Sequence, residues 1–404
     1  MDPISSFAMD QLAVLGDETP IDWLHRSDRY TEKLATPDVS IADLIGDVDP
    51  IKAATLKLPY SDERVIHFGL IPRSHRCIFV INELPDLQAR IQVALFNILQ
   101  EGDIQIRGFK LRLPLDIQFI FTANPEDYTN RGSIVTPLKD RIGSQIITHY
   151  PKSIDIGKKI TAQEAHLHDE QKSKVILPEL TRDLVEQIAV EARKSEYIDP
   201  KSGVSARLTI SALENLVAAA ERRAVINGEN QVHVRINDFV GVLPAITGKV
   251  ELVYEGEHEG PGIVAQNLVG KAIRTQFTTY FPDPEKFRKQ KDKSPYKKIT
   301  DWFGAGNTVD LLHAMSQAAY SEALEKIPGL NALVQQWHGQ ANAATKLLLM
   351  EFALFGLAEY SLLSKHTLTT GYHFKDLLSS MFTMPQADES NDDEEETLGG
   401  GRSR

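Results

Sequence analysis

Two short apolar runs frame the amino-terminal part of the chain: Cys77-Ile78-Phe79-Val80-Ile81-Asn82-Glu83 and Ile117-Gln118-Phe119-Ile120-Phe121-Thr122-Ala123-Asn124. Each is too short for a helix and ends in polar residues, which predicts parallel strands covered on both faces. Between them Ile91, Ala94, Leu95, Ile98 and Leu99 recur at i, i+3, i+4, i+7 and i+8, predicting an amphipathic helix over 87–100. Ile104 and Ile106 alternate before Arg107-Gly108, and Phe109, Leu111 and Leu113 alternate after it, as in a hairpin. The local order is strand, helix, hairpin, strand.

Beyond Pro151 the period changes. Leu180, Leu184, Ile188 and Ala192 predict one helix, and Leu213, Leu216, Val217, Ala220 and Ala224 another. Ser211 and Glu214 have the spacing of a capping box for the second, and Asn227-Gly228 supplies a left-handed stop. Helical periodicity continues from Ile263 to about Phe281 and from Val309 to Met381. An α/β part is therefore expected to be followed by a mainly α carboxyl half, with no internal repeat.

Composition adds bounds to this picture. With 404 residues, 42% hydrophobic and 25% charged, the chain fits a soluble globular protein of two or three domains. No stretch approaches the roughly 20 apolar residues that span a bilayer, and Met1-Asp2-Pro3-Ile4 has no basic or apolar signal region. The single cysteine, Cys77, excludes an internal disulfide and fits a cytoplasmic protein. Much of the net charge of −12 lies in Asp388, Glu389 and Asp392 to Glu396, so 385–404 is expected to be an acidic disordered tail. The opposite sign collects from Lys286 to Lys298. In so acidic a chain, with few aromatics there, it predicts a solvated linker and makes nucleic acid an unfavoured partner. His166 and His168 lack the i, i+4 spacing of helical zinc ligands, and no motif for acyl transfer or zinc hydrolysis occurs.

Residues 36–250 resemble the AAA+ ATPases of the MoxR and magnesium-chelatase I-subunit group. Ile41 to Asp49 followed by His67 to Arg73 is similar to that group's helix-2 insertion. The hairpin after Glu101 is similar to its second insertion, and the strand ending in Asn82-Glu83 stands where a Walker B segment would. The resemblance implies an α/β P-loop core with a parallel sheet, then an α-helical lid and a mainly α carboxyl region. The expected domains are a 1–35 leader from the interior of a longer AAA+ domain, a partial core over 36–150, a lid over 151–250 and a helical region over 251–384. It implies ATP and Mg²⁺ as cofactors. Glu83 would polarise the attacking water, Asn124 would be sensor 1, Arg141 the arginine finger acting on a neighbouring subunit, and Arg207 sensor 2. Asn82 and Glu83 would hold Mg²⁺ weakly through water. As partners it implies a ring of copies, a hexamer, and a von Willebrand A domain protein.

Two departures qualify that expectation. Asn82 replaces the usual Asp, which removes a charge from the Mg²⁺ shell. No G-x-x-x-x-G-K-[ST] occurs, although that loop's N–H groups and Lys normally hold the phosphates. The first strand, P-loop and first helix are thus expected to be missing, leaving the chain alone a poor ATP binder. Three functions follow: an ATPase subunit that remodels a client or inserts metal into it, a nucleotide-independent ring or scaffold component, or a nucleic-acid remodeller using the Arg107, Lys110 and Arg112 hairpin.

Overall fold

In the computed structural model, which describes residues 5–59, 62–106, 112–124 and 133–377, the chain divides into two units at Thr148 and His149. The first opens with helix α1 (Ser6–Leu15). It is built on β1 (Tyr30–Leu34), β2 (Ile78–Asn82) and β3 (Gln118–Phe121), parallel and in the order β1-β2-β3. β1 lies inside the 1–35 leader. Its sequence Tyr-Thr-Glu-Lys-Leu carries no apolar run, so only pairing with β2 reveals it, with Leu34 opposite Asn82.

The expected helix over 87–100 is two: α2 (Ala89–Ala94) and α3 (Phe96–Glu101). They break at Leu95, whose N–H bonds to Gln92 O, one residue short of the α-helical partner. Ile91, Leu95 and Ile98 still face one hydrophobic cluster. Asp103–Gln105 pairs antiparallel with Arg112–Pro114, as the hairpin expectation has it. The turn itself, with Arg107, Phe109, Lys110 and Leu111, lies outside the described residues.

One expectation about the strands fails. Phe79 and Ile81 of β2 pack into the cluster with Phe119 and Phe121 of β3, the Phe79 and Phe119 ring centroids 5.9 Å apart. The alternate positions Leu34, Ile78 and Ile120 are 53%, 41% and 44% exposed. Among the described residues that second face is only partly covered, since Val80 at its centre is 7% exposed. An apolar run reports hydrophobicity at both parities of a strand; it does not supply the element that covers them.

The second unit holds α4 (Ile154–Glu164), α5 (Glu179–Lys194), α6 (Arg207–Asn227), α7 (Pro261–Tyr280) and α8 (Ala343–Glu359). A single hydrophobic cluster runs from Val175 to Phe374, across the expected lid and carboxyl segments alike. α6 begins a turn earlier than expected, with Ala206 at its N-cap, so Ser211 and Glu214 are interior and form no capping box. Glu214 instead accepts the His166 N–H at 2.8 Å from outside the helix. Gly228 ends α6 at φ 65°, the left-handed stop expected. The expected helical run over 309–381 also contains strands, Val309–Leu312, Ser364–Leu368 and Gly371–Lys375, in an antiparallel sheet. Only Val309 and Leu311 alternate inward, a period-2 signal too short to stand out beside α8. The acidic tail lies outside the described residues.

Close approach of α7 and α8 depends on Gly356. A Cβ there would lie 2.0 Å from Phe277 Cδ2. Phe277 is fully buried and stacked among Phe281, Tyr296, Phe352 and Tyr360, so it has nowhere to go. In an open helix Gly→Ala gains about 1 kcal/mol; here overpacking of about 1–3 kcal/mol or more opposes it. Gly356→Ala is expected to lower the urea midpoint of the second unit, the reverse of the helix-propensity sign.

The same unit buries a charged network. Arg223 and Asp238, 2% and 4% exposed, form a bidentate pair at 3.0 and 2.8 Å. Desolvation works against the Arg223 charge, yet the Asp238 hydrogen bond and charge hold its pKa above the ordinary value. Glu351 on α8 accepts the Ile236 and Asn237 N–H groups at 2.7 and 3.1 Å and the Tyr320 O–H at 2.9 Å. Burial pushes its carboxyl up to about 7 despite these bonds.

Candidate functional site: the carboxyl rim of the parallel sheet

Ligands of open α/β sheets bind beyond the carboxyl ends of the strands, and that rim is tied together by one amide. Asn82 Nδ2 donates to Glu32 on β1, and Asn82 Oδ1 accepts from Thr122 Oγ1, just past β3, at 3.2 Å. Its backbone O also accepts the Ala35 N–H at 2.8 Å. Both ends of the side chain expected to support Mg²⁺ are thus engaged across three strands. A carboxylate at this position has no proton to give Glu32 and sets two like charges together. Asn82→Asp is therefore expected to destabilise the first unit by about 1 kcal/mol, read as a lower melting midpoint at neutral pH that recovers toward pH 4.

Glu83 follows immediately, half-buried, in a left-handed conformation at φ 55°. For a residue with a Cβ this costs about 1–2 kcal/mol, and hydrogen bonds from the neighbouring strand hold it. Glu83 N–H donates to Thr122 Oγ1 at 3.1 Å and Leu84 N–H to Thr122 O at 2.9 Å. Thr122 Oγ1 thus accepts from Glu83 and donates to Asn82. Asn124, exposed, lies two residues further along the same segment. Ile81 stands opposite Phe121 in the parallel register, so Glu83 and Asn124 leave the same end of adjacent strands.

Sequence reasoning missed Glu32 and Thr122. Thr122 had a legible signal, a hydroxyl at the step after an apolar strand, level with Asn82. Glu32 had none, because β1 itself was not legible.

Arg141 follows the short helix Thr136–Lys139. Its Nε and Nη2 donate to Gln100 Oε1 at 3.0 and 2.6 Å, its Nη1 donates to Pro137 O at 2.7 Å, and its guanidinium lies 4.9 Å from the Phe96 centroid. It is anchored to α3 within its own unit. Arg207 belongs to the second unit, where it opens α6; it is exposed, and its N–H bonds to Ser205 Oγ at 3.2 Å.

Among the described residues no group of three or more His, Cys, Asp or Glu is placed to hold a metal ion. Glu83 fits only an outer place around a Mg²⁺ carried by nucleotide phosphates, the usual way this ion is bound. His168 stands at the N-cap of the helix Asp169–Lys174, its N–H donating to Gln171 Oε1 at 3.1 Å. In the basic run Lys297 pairs with Asp301 at 2.8 Å and with Asp292 at 3.7 Å, but Tyr296 within it is fully buried in the core of the second unit, so the run is not the linker expected.

No family model matches the chain. Among solved structures it is similar to the complex between subunits BchI and BchD of magnesium chelatase, with 17% identity over 57% of this chain and 72% of that one, at a TM-score of 0.27. It is also similar to RuvB of Thermotoga maritima, with 10% identity over 55% of each chain and a TM-score of 0.32. NtrX of Brucella abortus shows 13% identity over 74% of this chain and 58% of its own, with a TM-score of 0.36. Scores of this size carry no inference about activity or partners. Among the described residues no single helix is long and apolar enough to cross a membrane.

Proposed function

We propose that this chain is an AAA+ ATPase subunit of the MoxR and magnesium-chelatase type, coupling ATP hydrolysis to remodelling of, or metal insertion into, a client protein. One observation carries it: an acid, Glu83, held at the carboxyl tip of a parallel strand by the neighbouring strand that leads to Asn124. In that role Glu83 accepts a proton from the water attacking the γ-phosphate, and Asn124 orients that water. Arg141 acts on a neighbouring copy's nucleotide once released from Gln100, in a hexameric ring, and Arg207 closes over the phosphates from the lid. ATP carries the Mg²⁺, whose charge favours attack. A von Willebrand A domain protein is the partner this reading proposes.

With no phosphate-cradling loop in the sequence, the isolated chain is expected to bind Mg·ATP weakly and turn it over slowly. Hydrolysis by the purified chain, with and without Glu83→Gln, tests the assignment. Loss of general-base action should lower the rate by about 10²-fold or more while leaving binding of a fluorescent ATP analogue unchanged. A rate indifferent to Glu83→Gln removes Glu83 from the reaction. The complete absence of nucleotide binding would favour the second reading, a nucleotide-independent ring component, which the engaged side chains of Asn82 and Arg141 support.

A further inference from the structure

We infer that a cavity in the second unit binds a small amine carrying an apolar group, with Glu186 as the acceptor of its ammonium. The cavity, of about 450 Å³, is bounded by α4, α5, α6 and the helix Asp169–Lys174, and its volume is in the range that holds small molecules. Most of the wall is apolar, with Ala162, Ala165, Leu177, Val185, Leu213 and Val217. One carboxyl interrupts it.

Glu186 is 6% exposed, yet half of its carboxyl is unbonded. Thr161 Oγ1 lies 2.5 Å from Oε1, whereas Oε2 meets no hydrogen-bond donor among the described residues. Oε2 rests against Gly157, where a Cβ would come within 2.3 Å of it. Counting hydrogens assigns the proton. Thr161 Oγ1 also lies 2.8 Å from Thr209 Oγ1, which donates to Ala206 O at 3.0 Å. Each hydroxyl has one hydrogen, so Thr209 gives its own to Ala206, Thr161 gives its own to Thr209, and the remaining contact takes a proton from Glu186. Burial favours that neutral form, raising the carboxyl against the Thr161 bond and the charges of Arg193 and Lys158. The hydroxyls also serve the ionised form: Thr209 then donates to Thr161 and Thr161 to Glu186, while Ala206 O keeps the Ile210 N–H.

The surrounding charges select a cation. In the wall, Lys158 is held by Asp155, Glu179 and Asp183 at 3.0, 2.5 and 2.7 Å, and Lys172 by Asp169 at 3.4 Å. Glu214 and Glu221 of α6 accept the His166 N–H and Gln171 Nε2 at 2.8 Å each. Arg193 stacks over Tyr150 at 4.1 Å, and Arg182, exposed, forms no ion pair among the described residues. Four cations thus meet six acids before Glu186 is counted. An ammonium entering here donates to the carboxyl, whose proton leaves to solvent, so the charge of the site is unchanged and a neutral hydrogen bond becomes a charge-assisted one.

Every residue of this site belongs to the second unit, and binding is read without nucleotide, so its outcome is separate from that of Glu83→Gln. Calorimetric titration of the full chain with 2-phenylethylamine, 2-phenylethanol and 3-phenylpropionate sets three head groups on one apolar body. The amine is expected to bind about tenfold more tightly than the alcohol, and the carboxylate not detectably. Amine affinity should rise from pH 5 to pH 8, as the proton stops competing for Glu186. Glu186→Gln, which keeps a donor for Thr161, should remove both the amine's advantage and the pH dependence. Ala162→Leu, at an exposed wall position, should weaken amine and alcohol alike and decides the location if Glu186→Gln fails to fold. An amine that does not bind, or that binds no better than the carboxylate, overturns the proposal. So does an advantage that survives Glu186→Gln, or binding indifferent to Ala162→Leu.

Discussion

Asp238→Ala is expected to destabilise the second unit by about 3–5 kcal/mol, measured as a fall in unfolding free energy by urea titration of tryptophan fluorescence. Three bonds end on that carboxylate: two from Arg223 and one, at 2.8 Å, from the Arg235 N–H. Removing it leaves the Arg223 guanidinium, only 2% exposed, with the His233 carbonyl at 2.8 Å and Glu229 at 4.0 Å. The large term is the stranded charge rather than the lost attraction. Arg223→Met with Asp238→Leu should consequently be milder than Asp238→Ala alone, with a residual loss of about 1–3 kcal/mol from the orphaned Arg235 N–H. If the double variant is worse than the single, the pair is a net source of stability and the desolvation argument fails.

The second large effect is on pH dependence. Glu351, raised by burial from its ordinary 4.5 to about 7, keeps its proton in the folded chain over a range where the unfolded chain has lost it. The folded state then binds more protons, and stability falls as pH rises. Below pH 4.5 both states are neutral at this group and its full contribution is present. Through pH 7 that contribution is lost, about 3 kcal/mol from two and a half units at 1.36 kcal/mol each. Urea titrations from pH 5 to 8 should show the second unit weakening, and Glu351→Gln should flatten that slope. The slope is the readout, since Gln cannot accept both backbone N–H groups that Glu351 takes. An unchanged slope in the variant would assign the pH dependence elsewhere.

Legibility in the sequence followed the strength of each local signal. α5 was readable because Leu180, Leu184, Ile188 and Ala192 form a stripe that the fold buries. β2 and β3 were readable as apolar runs, and their adjacency agrees with the expected placing of Glu83 and Asn124. β1 was not, because Tyr30, Glu32 and Leu34, which share one parity, are exposed and mix polar with apolar residues. The α2–α3 break at Leu95 was equally silent, since a one-residue slip leaves the i, i+3, i+4 pattern intact. At the candidate site, Glu83 could be picked from its position after a strand, whereas Glu32 became visible only when Asn82 was seen to donate to it.

By itself, then, the sequence determined which segments have an apolar side, where the strand pattern gives way to the helical one, and which polar residues end the strands. These properties are encoded within a few neighbouring residues. Only the tertiary structure decided that Asn82 is a cross-strand link, that Arg141 is held by Gln100, and that one face of the sheet is only partly covered. Each of those depends on partners dozens of residues away, and the energy of a hydrogen bond or a buried face belongs to the pair, not to either residue alone.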